Sequence, residues 1–274
     1  ENPEVDMIPK ELSFKGLAAV RGKGPMIHHI TNSVVTNFTA NVTLCLGAAP
    51  VMAPCIDESA EMVRYAGALL LNIGTLDPRQ VKSMLAAGRA AGELGIPIIL
   101  DPVGAGATTL RTEAAAELFR ELDITTVRAN AGEILALAGS SGKVRGVDSM
   151  DTVEGREETL ASFAAKTSTV IAVTGETDVV TDGERTVRIE NGHPLMGRVT
   201  GTGCATTTAV ACLTACAEDP FAAAAEALAV MGCAGEAAAE RANGPGTFVP
   251  EFLDSIAGMD ENSLIEKARV RSIG

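Results

Sequence analysis

The residues with the most chemical potential fall in three short segments far apart in the chain. In Val199-Thr200-Gly201-Thr202-Gly203-Cys204, two glycines lead into the run Ala205-Thr206-Thr207-Thr208-Ala209-Val210-Ala211, which reads as a helix. The first amide N–H groups of a helix lack intrahelical partners and the helix dipole adds positive potential, so glycines there let the backbone close around an anion. Charge developing on a transferring phosphoryl group would be held there, with Gly203 beside it. Taken alone, Gly-Thr-Gly reads equally well as a tight turn with a threonine cap. Cys204 tips the balance: a thiol at a helix N-terminus is expected to have a lowered pKa and to polarise a hydroxyl or act as a nucleophile. Cys45, Cys212, Cys216 and Cys233 read as buried apolar filler.

The second segment is Asp101-Pro102-Val103-Gly104-Ala105-Gly106-Ala107-Thr108, at the end of an apolar run. In a parallel sheet the C-terminal strand ends form the ligand crevice, so Asp101 is placed to hold a cation or a water; a turn or cap is the alternative. Gly104-Ala105-Gly106 lacks the third glycine and the suitably placed acid of a dinucleotide fingerprint. The third segment, Arg128-Ala129-Asn130-Ala131-Gly132-Glu133, also ends a strand and opens a helix. Asn130 and Glu133 offer oxygens that suit a hard cation such as Mg²⁺, and Arg128 would lie beside nucleotide phosphates. The same spacing makes a capping box, which is compatible with a water-bridged cation. Thr174, ahead of Gly175-Glu176, brings a hydroxyl to the same set of loops. His28 and His29 are too few for a metal site and read as hydrogen-bonded histidines of the core or surface.

The elements that must position these segments follow from periodicity. Strand-length apolar runs at 26–30, 50–53, 68–73, 97–100, 126–128 and 169–173 alternate with helical patterns at 35–46, 58–65, 78–94, 112–121, 132–137 and 157–166, the pattern of β-α units around a mostly parallel sheet. Val179-Val180-Thr181, an Asp182-Gly183 turn and a strand over 184–189 predict a hairpin and an antiparallel edge. Alanine-rich helices at 204–217 and 220–241 follow, and two more helices close the chain.

Hydrophobic residues make up 46% and charged residues 21% of the 274, enough apolar content for a sizeable core and against wholesale disorder. We expect residues 1–274 to form one α/β domain. With 3% aromatics and no Trp, that core must be built from Ala, Val, Leu and Ile, which favours helices packed close on a sheet. The net charge of −13 and the lack of any basic run exclude a nucleic-acid partner. An acidic chain that binds ATP must make its anion site locally. Six cysteines without a C-x-x-C pair suggest reduced thiols in a cytoplasm. The charged segment 1–10 has no apolar leader pattern, and no run of about 18 apolar residues is expected to span a membrane.

Taken in order, these segments resemble the hydroxyethylthiazole kinase family of the ribokinase-like superfamily. The resemblance spans most of the chain: Ile30-Thr31-Asn32, Gly47 through Ala53, Asn72-Ile73-Gly74-Thr75-Leu76, Asp101 through Thr108, Arg128 through Glu133, and Gly201-Thr202-Gly203-Cys204. It implies a ribokinase-like fold, a central mostly parallel sheet flanked by helices with a C-terminal Ala-rich helical portion. It implies ATP and Mg²⁺, with 4-methyl-5-(2-hydroxyethyl)thiazole as acceptor in thiamine biosynthesis or salvage, and a homotrimer with thiazole sites between subunits. Carried over by position, it puts Met52 and Gly201 at the thiazole, Arg128 and Thr174 at ATP, Asp101 and Glu133 near magnesium, and Cys204 where many ribokinase-like sugar kinases carry the catalytic Asp. Ala129 and Gly132 depart from the expected Gly and Ser or Ala, which bears on loop geometry.

The expected reaction is in-line attack of a primary hydroxyl on the γ-phosphorus, with Cys204 as base or positioning group. Rival readings are a ribokinase-like kinase for a hydroxymethylpyrimidine or sugar, a hydrolase or acyltransferase pairing a Cys204 nucleophile with His28, His29 or His193, and a non-catalytic nucleotide-binding regulator.

Overall fold

Short runs rich in Val, Ile and Leu cannot bury both faces alone, and here they assemble into one sheet. A computed structural model describes residues 9, 12–140 and 153–273; apart from Pro9, the charged segment 1–10 lies outside them. The strands are β1 (Met26–Ile30), β2 (Ala49–Met52), β3 (Ala68–Asn72), β4 (Ile98–Asp101), β5 (Thr126–Asn130), β6 (Val170–Thr174), β7 (Asp178–Thr181), β8 (Thr186–Ile189) and β9 (Val270–Ile273). They form a nine-stranded sheet of order β2-β1-β3-β4-β5-β6-β7-β8-β9. The pairings from β2 to β6 are parallel and those from β6 to β9 antiparallel.

Helices cover both faces. On one face α1 (Gly16–Lys23), α2 (Thr36–Leu46), α8 (Thr202–Thr214), α9 (Pro220–Arg241), α10 (Pro245–Gly258) and α11 (Glu261–Lys267) build a core on Ile27, Leu70, Ile99 and Ala172. On the other, α4 (Pro78–Leu94), α5 (Thr109–Glu121), α6 (Ala131–Ser140) and α7 (Val153–Thr167) pack with Leu69, Leu71, Ile98, Leu100 and Ile171. Neighbouring strand residues thus divide between the two cores, as a two-residue side-chain period requires. The short α3 (Ser59–Met62) and a 3₁₀ turn over Val63–Tyr65 replace the single helix expected at 58–65. Asp77 and Asp219 cap α4 and α9, each followed by proline at the first helical position, so these two helices begin where the sequence signals.

Several expectations needed correction. Helix α1 was not foreseen, and its N-terminus depends on a distant group: buried Glu226 of α9 accepts from the N–H groups of Gly16 and Leu17 at 2.9 and 2.8 Å. The hairpin closes through residues 182–185 and β8 starts at Thr186. Asp182 accepts from the N–H groups of Glu184 and Arg185 and widens the expected two-residue turn. Strand β9 follows the two closing helices and extends the antiparallel edge. Among the described residues α9 is long and apolar enough to cross a membrane, contrary to expectation, but 83% of its apolar window is buried within this fold.

The parallel strands all point their C-terminal ends to one rim, where Asn72, Asp101, Asn130 and Thr174 are terminal residues. Arg111 of α5 ties two of the loops there. Its guanidinium donates to the carbonyls of Ile73 (3.1 Å), Val103 (2.8 Å) and Gly74 (2.9 Å). Gly104 has φ +78, and a Cβ there would meet Arg111 Cδ at 2.9 Å, so glycine lets the arginine lie against the loop. Arg111→Ala should lower unfolding free energy in urea by about 2–3 kcal/mol through three carbonyls left without donors. Arg111→Lys should recover only part, because an ammonium cannot reproduce the fork; full recovery would show that charge, not geometry, holds the loops.

Candidate active site

At the rim, polar residues that end apolar strands meet the N-terminus of α8. Asn72 and Asp101 are register partners on β3 and β4, and both are fully buried. Asn72 Nδ2 donates to Asp101 Oδ2 at 2.8 Å and to Cys204 Sγ at 3.2 Å. Asn32, after β1, donates to Asn72 Oδ1 at 2.8 Å and lies 3.6 Å from Sγ. From α8, three residues beyond Cys204 and so on the same helical face, the Thr207 hydroxyl donates to Asp101 Oδ2 at 2.7 Å. Asp101 Oδ1 has no hydrogen-bond partner among the described residues, and its nearest cation is Arg128 Nη1 at 4.0 Å.

Arg128 stands between Asp101 and Thr174, to whose hydroxyl Nη2 donates. A Cβ on Gly203 would meet Nη1 at 2.8 Å, so only glycine lets the guanidinium lie against the helix start. The N-cap, Gly201, has φ +91, and a Cβ there would fall 2.8 Å from Val35 Cγ1. The first bond closing α8 runs from the Ala205 N–H to the Gly201 carbonyl at 2.8 Å, leaving the N–H groups of Thr202, Gly203 and Cys204 ahead of the ladder.

Asn130 and Glu133 form the expected capping box. Asn130 Oδ1 accepts from the Glu133 N–H and Glu133 Oε2 from the Asn130 N–H, each at 2.9 Å. Glu133 Oε1 also accepts from the Gly104 N–H at 2.8 Å, joining the β4 and β5 loops. The two departures leave this loop intact: Ala129 is buried in the core, and a Cβ on Gly132 would make only an ordinary contact with Asn130.

Two cavities meet at this rim. A cavity of about 400 Å³ is lined by Asn32, Val35, Asp101, Glu133, Gly201 and Cys204 among others. A larger one of about 630 Å³ is lined by Thr174, Asp178, His193, Met196, Thr202 and Met231 among others. Arg128 and Gly203 line both and form the shared wall. A separate hollow of about 610 Å³ sits by Thr125, Thr169 and Arg185 and includes none of the expected site residues; of its two arginines, Arg185 is held by Asp182 and Asp219 and Arg120 by Glu121.

The expected site residues Cys204, Asp101, Glu133, Asn130, Gly201, Arg128 and Gly203 therefore share one cavity, with Thr174 across the wall. Met52 does not join them; it is half-buried on the edge strand β2. His28 Nε2 pairs with the Ala53 carbonyl and His29 Nε2 with the Thr43 hydroxyl, and burial depresses both rings, His29 to about 3. They are core histidines, the donors to Cys204 Sγ are two amides, and His193 lines the other cavity, where its Nδ1 accepts from the Leu195 N–H, so a Cys–His nucleophile is not favoured.

The electrostatics correct one expectation. Burial pushes the Cys204 thiol up to about 11, the neighbouring Asp101 adds to this, and the hydrogen bonds from Asn72 and Asn32 offset only part. Desolvation is the largest influence on the thiol and outweighs the amide donors and Arg128, so the lowered pKa expected of a thiol at a helix start is not found. Burial also raises Asp101 to about 6 against the opposing pull of Arg128 and the Thr207 hydrogen bond. Asp178, whose carboxylate accepts from the Gly175 N–H at 2.9 Å, is likewise raised to about 6 by burial. Sequence reasoning did not single out Asn72, Thr207 or Asp178 for a role. A polar residue closing an otherwise apolar run was the available signal for Asn72; for Thr207 it was the three-residue spacing from Cys204.

Comparison with known proteins places this geometry. The family model "Hydroxyethylthiazole kinase family" matches residues 17–262. A hydroxyethylthiazole kinase of Methanocella arvoryzae is 52% identical over 255 residues, 93% of this chain and 96% of that one. The structure of a hydroxyethylthiazole kinase from Pyrococcus horikoshii OT3 superposes with a TM-score of 0.88 at 41% identity, covering 95% of this chain and 98% of that one. A pyridoxal kinase from Staphylococcus aureus, in complex with AMP-PCP, shares the fold at 14% identity with a TM-score of 0.56, covering 77% of this chain and 87% of that one.

Asp178 yields a test of the electrostatics. Its folded pKa of about 6 lies above the ordinary 3.8, so the stability tied to its protonated form is complete below pH 3.8 and lost as pH rises through 6. Asp178→Asn, neutral at every pH and still able to accept from Gly175, should exceed wild type by roughly 2–3 kcal/mol at pH 8 and come close to it near pH 4. Thermal melts across that range check this; a gap that does not change with pH would contradict it.

Proposed function

The chain belongs to the hydroxyethylthiazole kinase family, and we propose that it carries out that family's reaction, moving the γ-phosphoryl group of ATP to the primary hydroxyl of 4-methyl-5-(2-hydroxyethyl)thiazole, at the junction of the two cavities. The observation that carries this reading is the shared wall: Arg128 and Gly203 border both the small cavity with Cys204, Asp101 and Glu133 and the larger cleft. In this assignment ATP occupies the larger cleft, Thr174 and Arg128 bind its phosphates with Asn130 nearby, and the acceptor alcohol enters beside Gly201. The γ-phosphorus meets the free N–H groups at the start of α8, which stabilise the charge that develops on it.

The donor set suits magnesium. Among the described residues no three acidic, His or Cys side chains cluster as a complete cage, and Mg²⁺ in phosphoryl-transfer sites usually takes one or two carboxylates and fills its shell with water and phosphate oxygens. Asp101, with one buried oxygen lacking a partner, and Glu133 would hold it. When bound, the ion neutralises phosphate charge as transfer proceeds.

The acceptor oxygen attacks in line, its bond to phosphorus forms as the bridging oxygen of ADP departs with its electron pair, and the hydroxyl proton leaves after bond formation. The transition state is loose, so no strong base is needed; a phosphoryl oxygen suffices as proton acceptor. Cys204, a neutral thiol at pH 7 in the free protein, positions the hydroxyl and does not deprotonate it.

Met52 lies outside the cavity that Gly201 lines, and a homotrimer with thiazole sites completed between subunits would bring it to the acceptor. The large apolar side chains of Val34, Leu44, Ile56 and Tyr65 are exposed in segments before and after β2 and could be covered by such a contact. The six cysteines are free, which suits a cytoplasmic enzyme. The whole chain would act as a single kinase domain.

The primary test is ADP release with a panel of primary alcohols. The thiazole alcohol with Mg²⁺ should turn over, and omission of Mg²⁺ should abolish turnover; faster phosphorylation of a hydroxymethylpyrimidine or a sugar would move the acceptor assignment. Cys204→Ser should lower kcat without loss of ATP binding, whereas Cys204→Asp should stay active because two amide donors already point at that position. Wild-type kinetics in Cys204→Ala would remove the thiol from the reaction. Light scattering should report a trimer; a monomer with full thiazole affinity would contradict the shared site.

A further inference from the structure

Asn72 uses every hydrogen-bonding position of its amide. Nδ2 donates to Asp101 Oδ2 and to Cys204 Sγ, while Oδ1 accepts from Asn32 Nδ2 at 2.8 Å and from the Gly74 N–H at 2.9 Å. An amide has two donor hydrogens and two acceptor lone pairs, so none is left over. The orientation is unique: a flip would turn the NH₂ toward two donors and the oxygen toward a carboxylate.

The surroundings leave Asn72 no freedom. It is fully buried on β3. A Cβ on Gly74 would lie 2.6 Å from Asn32 Nδ2, so glycine is required where the chain passes the Asn32–Asn72 pair. Asn32 is fixed in turn by the Val34 N–H, which donates to its Oδ1 at 3.1 Å. Asp101 has its second donor in Thr207, from the same helical face as Cys204. The carboxylate and the thiol thus face one amide whose angle is set by Asn32, after β1, and by the Gly74 N–H of the loop that leaves its own strand.

We propose that Asn72 is the positioning residue of the reaction: by donating to Asp101 and Cys204 from one rigid amide, it holds the carboxylate on the metal side and the thiol on the acceptor side in a fixed relation. This rests on the kinase reading and on Cys204 meeting the acceptor hydroxyl. Asn72 touches neither the alcohol nor the nucleotide; it acts through Cys204 and Asp101. A wholly structural asparagine at the same place would affect stability and leave the kinetic signature below unchanged.

A double-mutant cycle tests this with the full chain, ATP, Mg²⁺ and the thiazole alcohol. Asn72→Ala in the wild-type background should lower kcat roughly tenfold to a hundredfold, the effect of losing a hydrogen bond to a charged or reacting group, with KM for ATP little changed. In the Cys204→Ala background the same change should cost several-fold less, because the thiol it positions is already gone and only its hold on Asp101 is left to lose. Equal losses in both backgrounds, or a raised KM for ATP with kcat unchanged, would overturn the proposal. Cys204→Ala alone reports on the underlying reading: wild-type kcat there defeats the thiol's role, and this inference with it, whereas a lowered kcat with additive losses defeats only this inference. A crystal structure of the nucleotide-free Asn72→Ala protein gives a readout apart from turnover. Sγ should adopt a different or mixed rotamer, and an unmoved Sγ would count against the proposal. Should that variant not fold, Asn72→Ser, which keeps one hydroxyl, serves for both measurements.

Discussion

A carboxylate with no access to solvent dictates the layout of this rim. Removing Asp101 from water costs several kcal/mol unless hydrogen bonds and a cation offset it. The fold supplies two donors to one oxygen, Asn72 and Thr207, and leaves the other oxygen facing Arg128 from 4.0 Å. One donor comes from the adjacent strand and one from α8, so the same interaction that makes the carboxylate tolerable also fixes the helix over the strand ends. The start of α8, and with it Gly203 and Cys204, has its position set by that demand.

The chain's overall charge makes this local arrangement necessary. At −13 the long-range field repels a nucleotide, and attraction must come from elements within a few ångströms: backbone N–H groups at a helix start, one guanidinium, and a divalent cation. Among the described residues Arg128 is the sole guanidinium or ammonium lining either cavity, and its side chain is only 11% exposed. Partial burial strengthens each of these contacts relative to water. The same burial makes a thiolate expensive, so Cys204 remains a neutral thiol, a state that a loose phosphoryl-transfer transition state accommodates.

Much of this architecture is legible in the sequence because the layers have distinct periods. Strands of parallel sheets are buried on both faces and read as continuous apolar runs, which places β1 to β6 within a residue or two. Proline and aspartate at Asp77-Pro78 and Asp219-Pro220 mark the starts of α4 and α9. What escaped depends on distant partners. Helix α1 begins where Glu226, more than two hundred residues away, caps it, and β9 exists because β8 offers an edge. At the site, the residues that end strands could be placed at one rim by topology alone. The thiol's pKa could not, since a helix terminus and a dry cavity pull it in opposite directions and only packing says which prevails. Met52 is a different case: its expected role came from family resemblance, and a single chain leaves it on an edge strand.

The central claim is that phosphoryl transfer takes place where the start of α8 faces Asp101 and Glu133 across the Arg128 wall. A crystal structure with a non-hydrolysable ATP analogue, Mg²⁺ and the thiazole alcohol addresses it most directly. The account predicts the γ-phosphate against the N–H groups of Gly203 and Cys204, the metal on the side of Asp101 and Glu133, and the alcohol oxygen between Cys204 and the phosphorus. A γ-phosphate bound away from the start of α8, or an alcohol oxygen remote from Cys204, would contradict it.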